Sequence, residues 1–543
     1  MLAVLALVAV AVPALGLQDS TPVSFEELVQ AAEQAQRNNH LSAAAMRYKE
    51  ALAMHPEIAE LHANLGLVNY QRGDSTGAQK EFQAALRLKP SLFVPNLFLG
   101  VEYLKRNDPS SALLYLTRAA QMNPQDLEVN LSVGRAYSTL NRDSEAISAY
   151  WRAVTFHPGN EEGWYGLGAS YLDRAESLSS LLAKRYRDSA SFGALTASYF
   201  DEQGKYARAI SEYRAIVANA DAPLCSHTRL GFALIHNGQF AEAAPEFNSD
   251  LQIGDCTALA RNGLARIQIH NGKTSASTKD DVEESNANAS AVLADHLLAN
   301  VSNPAQGYLE GHYREAAALG DKLIASGAVN PKNLYWTIRA DQRLGAGALT
   351  QAVRVAPGSI RIHLLLGDLY RRKGQYVAGE REFQEALKLD KNNVPALLGL
   401  ATAYYLNGEL NTAEAAAKEV LLHEPGDIEA KLLMAEVLLG QRHYGEAYRF
   451  VETVPNGKPD LIAEIHGVRG KILAATHRPT EAISELKEAV DHDSQGDLTY
   501  VLARQYQILG DKQSASTAFQ RSKKLREKSN EREGYRSEVD RQN

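Results

Sequence analysis

From residue 360 to 393 the chain reads IRIHLLLGDLYRRKGQYVAGEREFQEALKLDKNN, and its apolar positions follow a helical period twice. Leu366 and Tyr370 mark one stripe and Phe383, Ala386 and Leu387 a second, with a turn at Gly374 between them. Small residues, Gly367 and Gly379, stand where two helices would have to approach closely. The pattern predicts a hairpin of two amphipathic helices. Neither helix can bury its stripe alone, so the unit needs neighbours that present the same face.

Such neighbours recur along the chain. Aligned on a glycine or alanine at the eighth position, units begin near 25, 59, 93, 127, 360, 394, 428, 463 and 496, at a period of 33 or 34 residues. One carries Leu65, Gly66, Gly73, Ala78, Phe82, Ala85 and Pro90, and the next Leu99, Gly100, Tyr103, Ala112, Leu116, Ala119 and Pro124. The unit after that has Gly134, Tyr137, Ala146, Tyr150, Ala153 and Pro158, and Trp164, Leu167, Gly168 and Tyr171 open a further first helix. Small residues at the eighth and twentieth positions let paired helices close up, while larger ones fill the space toward the following unit. Proline at the end of a unit stops the second helix, because it cannot extend the hydrogen-bond ladder. These marks resemble the tetratricopeptide repeat, a helix–turn–helix of about 34 residues. The resemblance covers most of 25–529. It implies an all-α fold, a right-handed superhelical solenoid of stacked antiparallel helix hairpins.

Between 161 and 359 the period is disturbed. Units remain visible around Gly204, Tyr206, Ala209 and Tyr213 and around Leu230, Gly231, Gly238, Ala243 and Phe247, while 176–188 reads as a helix that runs on without the usual turn. Residues 271–290, NGKTSASTKDDVEESNANAS, have almost no aliphatic content and read as a flexible linker or loop. The expected organisation is therefore two arrays. An N-terminal array covers 25–270 and a C-terminal array 291–529, the latter opening with weaker hairpins around Tyr313, Ala316, Leu319, Tyr335 and Trp336. A polar tail over 530–543 is expected to fray.

A solenoid grows by adding repeats, so a length of 543 residues requires no second kind of domain. The net charge of −8 is spread along the chain and leaves no footprint for nucleic acid. Residues 1–17, MLAVLALVAVAVPALGL, form an apolar run with a small-residue exit at Ala14, Leu15 and Gly16, which fits a secretory signal although no Lys or Arg precedes Arg37. Export is the expectation, to the periplasm or outside the cell. A membrane anchor through residues 2–17 is the alternative, and the run is shorter than the roughly 20 residues a bilayer needs.

Candidate chemistry gives way to repeat register. His62, His227, His363 and His466 all stand at the fourth position of a unit, a packing position, and residues one repeat apart lie too far from each other to share a metal at about 2 Å per bond. Gly272, Lys273 and Thr274 look like the end of a phosphate loop, but position 267 is Ile267 where the loop needs glycine. No catalytic residue, metal site, cofactor or small-molecule substrate is expected. Cys225 and Cys256 fall at the second and thirty-third positions of one unit, on the same edge. They form a disulfide if the compartment is oxidising, or else remain two small thiols.

What the resemblance implies is a concave face of first helices that holds peptides or partner proteins, with positions 2, 5, 6, 9, 12 and 13 facing the groove. In the earlier array these include Leu67, Tyr70, Leu97, Phe98, Val101 and Leu104, an apolar trough, followed by Arg135. In the unit from 360 they include Arg361, Asp368, Arg371 and Arg372, a basic patch suited to an acidic segment. The trough is either a docking surface, with Phe98 as its anchor, or packing against a neighbouring helix or a second copy. The Lys and Asn clamp by which some family members grip a carboxylate is absent, since Val29, Glu33, Leu364 and Asp368 occupy its positions. The expected function is a protein-binding scaffold of the cell envelope. The alternative is a regulatory or accessory subunit of an envelope enzyme complex such as a glycan synthase or glycosyltransferase.

Overall fold

The structure, a computed structural model, describes residues 23–254, 256–271 and 301–539 apart from 373, 453, 455–460 and 494–495, and side chains only as far as 526. The run 1–17 and all but the first residue of 271–290 lie outside these residues. The described residues form 27 helices and no strand.

Three local devices build each hairpin. The turn between paired helices places the unit's fifteenth residue at positive φ; Arg442 and His477 stand there in two units, and elsewhere the chain supplies glycine at Gly73, Gly238, Gly374, Gly408 and Gly510 or asparagine at Asn39, Asn107 and Asn141. These are the residues that enter the left-handed region most readily. A large side chain at position 24 then wedges against the glycine at position 8: a Cβ on Gly66 would lie 2.6 Å from Phe82, and one on Gly367 would lie 2.7 Å from Phe383. Any larger residue would force the two helices apart.

The third device joins successive units. Position 4 donates to the carbonyl of the proline that closed the preceding unit: His62 to Pro56 at 3.1 Å, Asn96 to Pro90 at 3.0 Å, Asn130 to Pro124 at 2.8 Å and Trp164 to Pro158 at 2.7 Å. Each bond satisfies a carbonyl left over where a helix ends. The proline thus both stops one helix and orients the next.

Two compact units divide at Ser170 and Tyr171. The first contains four hairpins, Phe25–Arg37 with Leu41–Met54, Ala59–Gln71 with Ser75–Leu88, Phe93–Lys105 with Pro109–Met122, and Leu127–Thr139 with Asp143–Phe156. The helix Glu161–Arg185 spans the division and is continuous over 25 residues, as expected for 176–188.

The second unit departs from the expected organisation. Segments on either side of the polar stretch share one core, in which Tyr335 and Trp336 of the helix Pro331–Val355 pack with Ala194, Tyr213, Leu230 and Phe247. Arg174 pairs with Asp321 and Asp341. The array boundary expected at 271–290 is therefore not the division between compact units. The apolar face of the repeats around 190–267 is covered by a helix from beyond the polar stretch. Regular hairpins resume with Ile360–Arg372 and Tyr376–Leu389 and continue through Asp497–Ile508 and Lys512–Val539. That last helix runs through most of the stretch expected to fray.

Candidate binding groove

In the first unit, the predicted apolar trough separates into two inter-repeat cores. Leu67, Tyr70 and Phe98 pack on Ala78, Phe82 and Leu99, whereas Leu97, Val101 and Leu104 pack with Ala112, Leu116, Val129 and Val133. Phe98 lies edge-on to Tyr70 at 4.6 Å and stacks on Phe82 at 5.9 Å, so the preferred anchor is half-buried within its own protein. Leu97 is only 7% exposed. Consecutive first helices touch, and Leu67, Tyr70, Phe98, Val101 and Leu104 are each half-buried in that contact. Arg135 is held by Glu128 at 2.5 Å and Glu162 at 3.3 Å.

The second unit offers more room. A groove of about 610 Å³ opens in front of the helices Val394–Leu406, Ile428–Gly440 and Ile462–Ala475. Leu398, Tyr405 and Leu433 line its apolar wall, and Glu429, Glu436 and Glu464 line it with carboxylates. All of its lining residues except Leu461 fall at positions 2, 5, 6, 9, 12 or 13 of their units.

The charge of this groove is opposite to expectation. Arg371 reaches it but is tied to Asp368 at 2.9 Å, while Arg361 and Arg372 are exposed residues of the same helix outside its lining. Lys471 approaches Glu436 at 3.8 Å. Burial raises the Glu436 pKa against the opposing pull of Lys471, and burial together with Glu436 and Glu429 raises that of Glu464. Tyr405 is pushed up to about 12 by burial and by Glu436. The three glutamates were missed in the sequence although they occupy positions 2 and 9, the same positions as Arg361 and Asp368. Reading those positions across successive units, rather than within one, would have found them.

The four histidines at position 4 each meet a glutamate 19 residues on, at position 23 of the same unit: His62 with Glu81 at 2.6 Å, His227 with Glu246 at 2.7 Å, His363 with Glu382 at 2.8 Å and His466 with Glu485 at 2.6 Å. They brace the two helices of a hairpin. Among the described residues no three His, Cys, Asp or Glu side chains are placed to hold a metal ion. Cys225 and Cys256 are joined, with Cα atoms 5.5 Å apart, and each immediately precedes a first helix, Ser226–His236 and Thr257–His270.

Family models described as tetratricopeptide repeat match residues 29–92, 99–161, 194–255 and 339–394, and a second such model matches 371–424 and 406–472. Together they cover more than half of the chain. The chain belongs to the tetratricopeptide repeat family. Over 214 residues it is 31% identical to cellulose synthase 1 operon protein C of Komagataeibacter xylinus, a match spanning 38% of this chain and 14% of that protein. Solved tetratricopeptide repeat structures align over parts of the chain. One is a thermophilic protein of Thermus thermophilus, TTC0263, with 21% identity, 33% of this chain, 98% of that one and a TM-score of 0.28. Another is YrrB, described as having an unusual peptide-binding site, with 14% identity, 35% and 97% coverage and a TM-score of 0.27. Scores this low leave the assignment to the family models. No described helix of this tetratricopeptide repeat protein is long and apolar enough to cross a membrane.

Proposed function

We propose that the chain is a non-catalytic scaffold that holds a partner protein or peptide on the face of its first helices, and that it works in the cell envelope. Binding is supported chiefly by the groove in the second unit, whose lining falls at the repeat positions that face away from the hairpin cores. Tetratricopeptide repeat proteins bind protein or peptide partners, and stacked hairpins provide a pre-formed surface that needs little ordering on association. The envelope assignment is supported by the apolar run 1–17.

A second reading, an accessory or regulatory subunit of an envelope enzyme complex such as a glycan synthase, is favoured by the match to an operon protein of cellulose synthesis. Co-purification from the native envelope tests both. The full chain is expected to retain a defined partner that is lost when Thr402, a lining residue, is changed to Trp to fill the groove. A glycan synthase or glycosyltransferase among the retained proteins would select the second reading. Recovery of the same proteins by a folded Thr402→Trp variant would refute binding in this groove.

A further inference from the structure

We propose that the groove in the second unit takes an extended polypeptide segment, setting its lysine or arginine side chains among Glu429, Glu436 and Glu464 and its apolar side chains against Leu398, Tyr405 and Leu433. This inference rests on the reading that the groove binds a polypeptide, and it specifies the chemistry of that partner.

Charge complementarity carries the argument. Of the cationic side chains at the groove, Arg371 is engaged by Asp368, and Lys471 stands 3.8 Å from Glu436. Glu429 and Glu464 have no ion pair among the described residues. Glu429 and Glu464 are exposed at the mouth of the groove, and partial desolvation there together with repulsion from Glu436 and Glu429 makes Glu464 hold its proton more tightly than usual, against the pull of Lys471. An incoming ammonium or guanidinium would relieve both effects, and a bare cation would leave the apolar wall unused.

Spacing adds to the case. Glu429 and Glu464 occupy position 2 of consecutive units, on first helices that touch. Packed helices lie roughly 8–10 Å apart, and a chain in the extended polyproline II conformation advances about 3.1 Å per residue with three residues per turn, so that residues three apart share a face. Basic residues three apart on such a chain would therefore meet carboxylates on adjacent layers, with apolar residues between them turned toward the wall.

The test is fluorescence anisotropy of the full chain with three labelled peptides, made of repeated Arg-Leu-Ala, Glu-Leu-Ala or Arg-Ala-Ala. The Arg-Leu-Ala peptide is expected to bind and the Glu-Leu-Ala peptide not to. Affinity should fall roughly tenfold or more in Glu429→Lys/Glu464→Lys and on adding salt. The paired Gln substitutions at both sites should give a smaller loss in the same direction, which guards against misfolding of the Lys variant.

Equal binding of the acidic peptide, or unchanged affinity in the folded Lys and Gln variants, would overturn the proposal. Equal binding of Arg-Ala-Ala would reduce the groove to a simple cation site and also overturn it. If Thr402→Trp abolishes capture of the native partner while both charge variants capture it fully, the groove reading survives and the basic-segment inference fails. If all three variants capture it, the groove reading itself fails.

Discussion

Arg174 and Asp341 form an ion pair between residues 167 apart in the second unit, and removing either tests how that unit is held together. The Arg174 side chain is 7% exposed and that of Asp341 0%. Arg174 Nε donates to Asp341 Oδ2 at 2.9 Å, Nη2 to Asp341 Oδ1, and Nη1 to Asp321 Oδ2. Burial works to lower the Arg174 pKa, but Asp341 and Asp321 hold it above its ordinary value. Breaking a buried pair by deleting one partner costs about 3–5 kcal/mol, because a desolvated charge is left behind. Arg174→Met removes the guanidinium from a fully buried carboxylate and belongs near the upper end. Asp341→Ala leaves Arg174 the Asp321 carboxylate and belongs near the lower end. Asp321 is 32% exposed, so Asp321→Ala should cost only about 1 kcal/mol. Urea unfolding followed by far-UV circular dichroism measures all three, and the double variant Arg174→Met/Asp341→Leu should lose less than the sum of its parts. A cost below about 1 kcal/mol for Arg174→Met, or a larger loss from Asp321→Ala than from Asp341→Ala, would refute this account of the core.

Reduction of the Cys225–Cys256 bond, which closes a loop with a sequence separation of 31, should destabilise the repeats around it by about 3–4 kcal/mol. A thermal midpoint unchanged by reductant, with thiol titration confirming that the bond has opened, would contradict this. Glu436 has a raised pKa in the folded state, so its contribution favours folding at low pH and is lost as pH rises from the ordinary glutamate value through the raised one. Glu436→Gln should therefore melt higher than the parent at pH 7, with the gap closing as the pH falls toward the ordinary glutamate range. A variant that melts lower at pH 7 would show that the pairing with Lys471 outweighs desolvation.

The hairpins were legible in the residues because everything that makes them is local. Gly374 at the turn, Gly367 against Phe383 and the donor at position 4 beneath the preceding proline all act within about one repeat, so their spacing survives in the sequence as a period. The resemblance to the tetratricopeptide repeat followed from the same spacing, as did the common role of His62, His227, His363 and His466 in packing. Their glutamate partners, at a constant offset of 19 residues, were equally present in the sequence but were not read.

Tertiary structure alone decided what lies between repeats and across the interruption. Phe98 reads as an exposed anchor in one helix, yet Tyr70 and Phe82 of the preceding unit half-bury it. Arg371 pairs with Asp368 three residues before it in the same helix, a local contact, but the sign of the groove changes only when Glu429, Glu436 and Glu464 of two later units are added. Arg174 and Asp341 are separated by 167 residues and by a polar stretch that breaks the period. A periodic pattern specifies which face of a helix is apolar, but it carries no information about which distant charge will be desolvated beside it. That choice depends on which helix covers which, and here the helix Pro331–Val355 made it by packing on the repeats before the break.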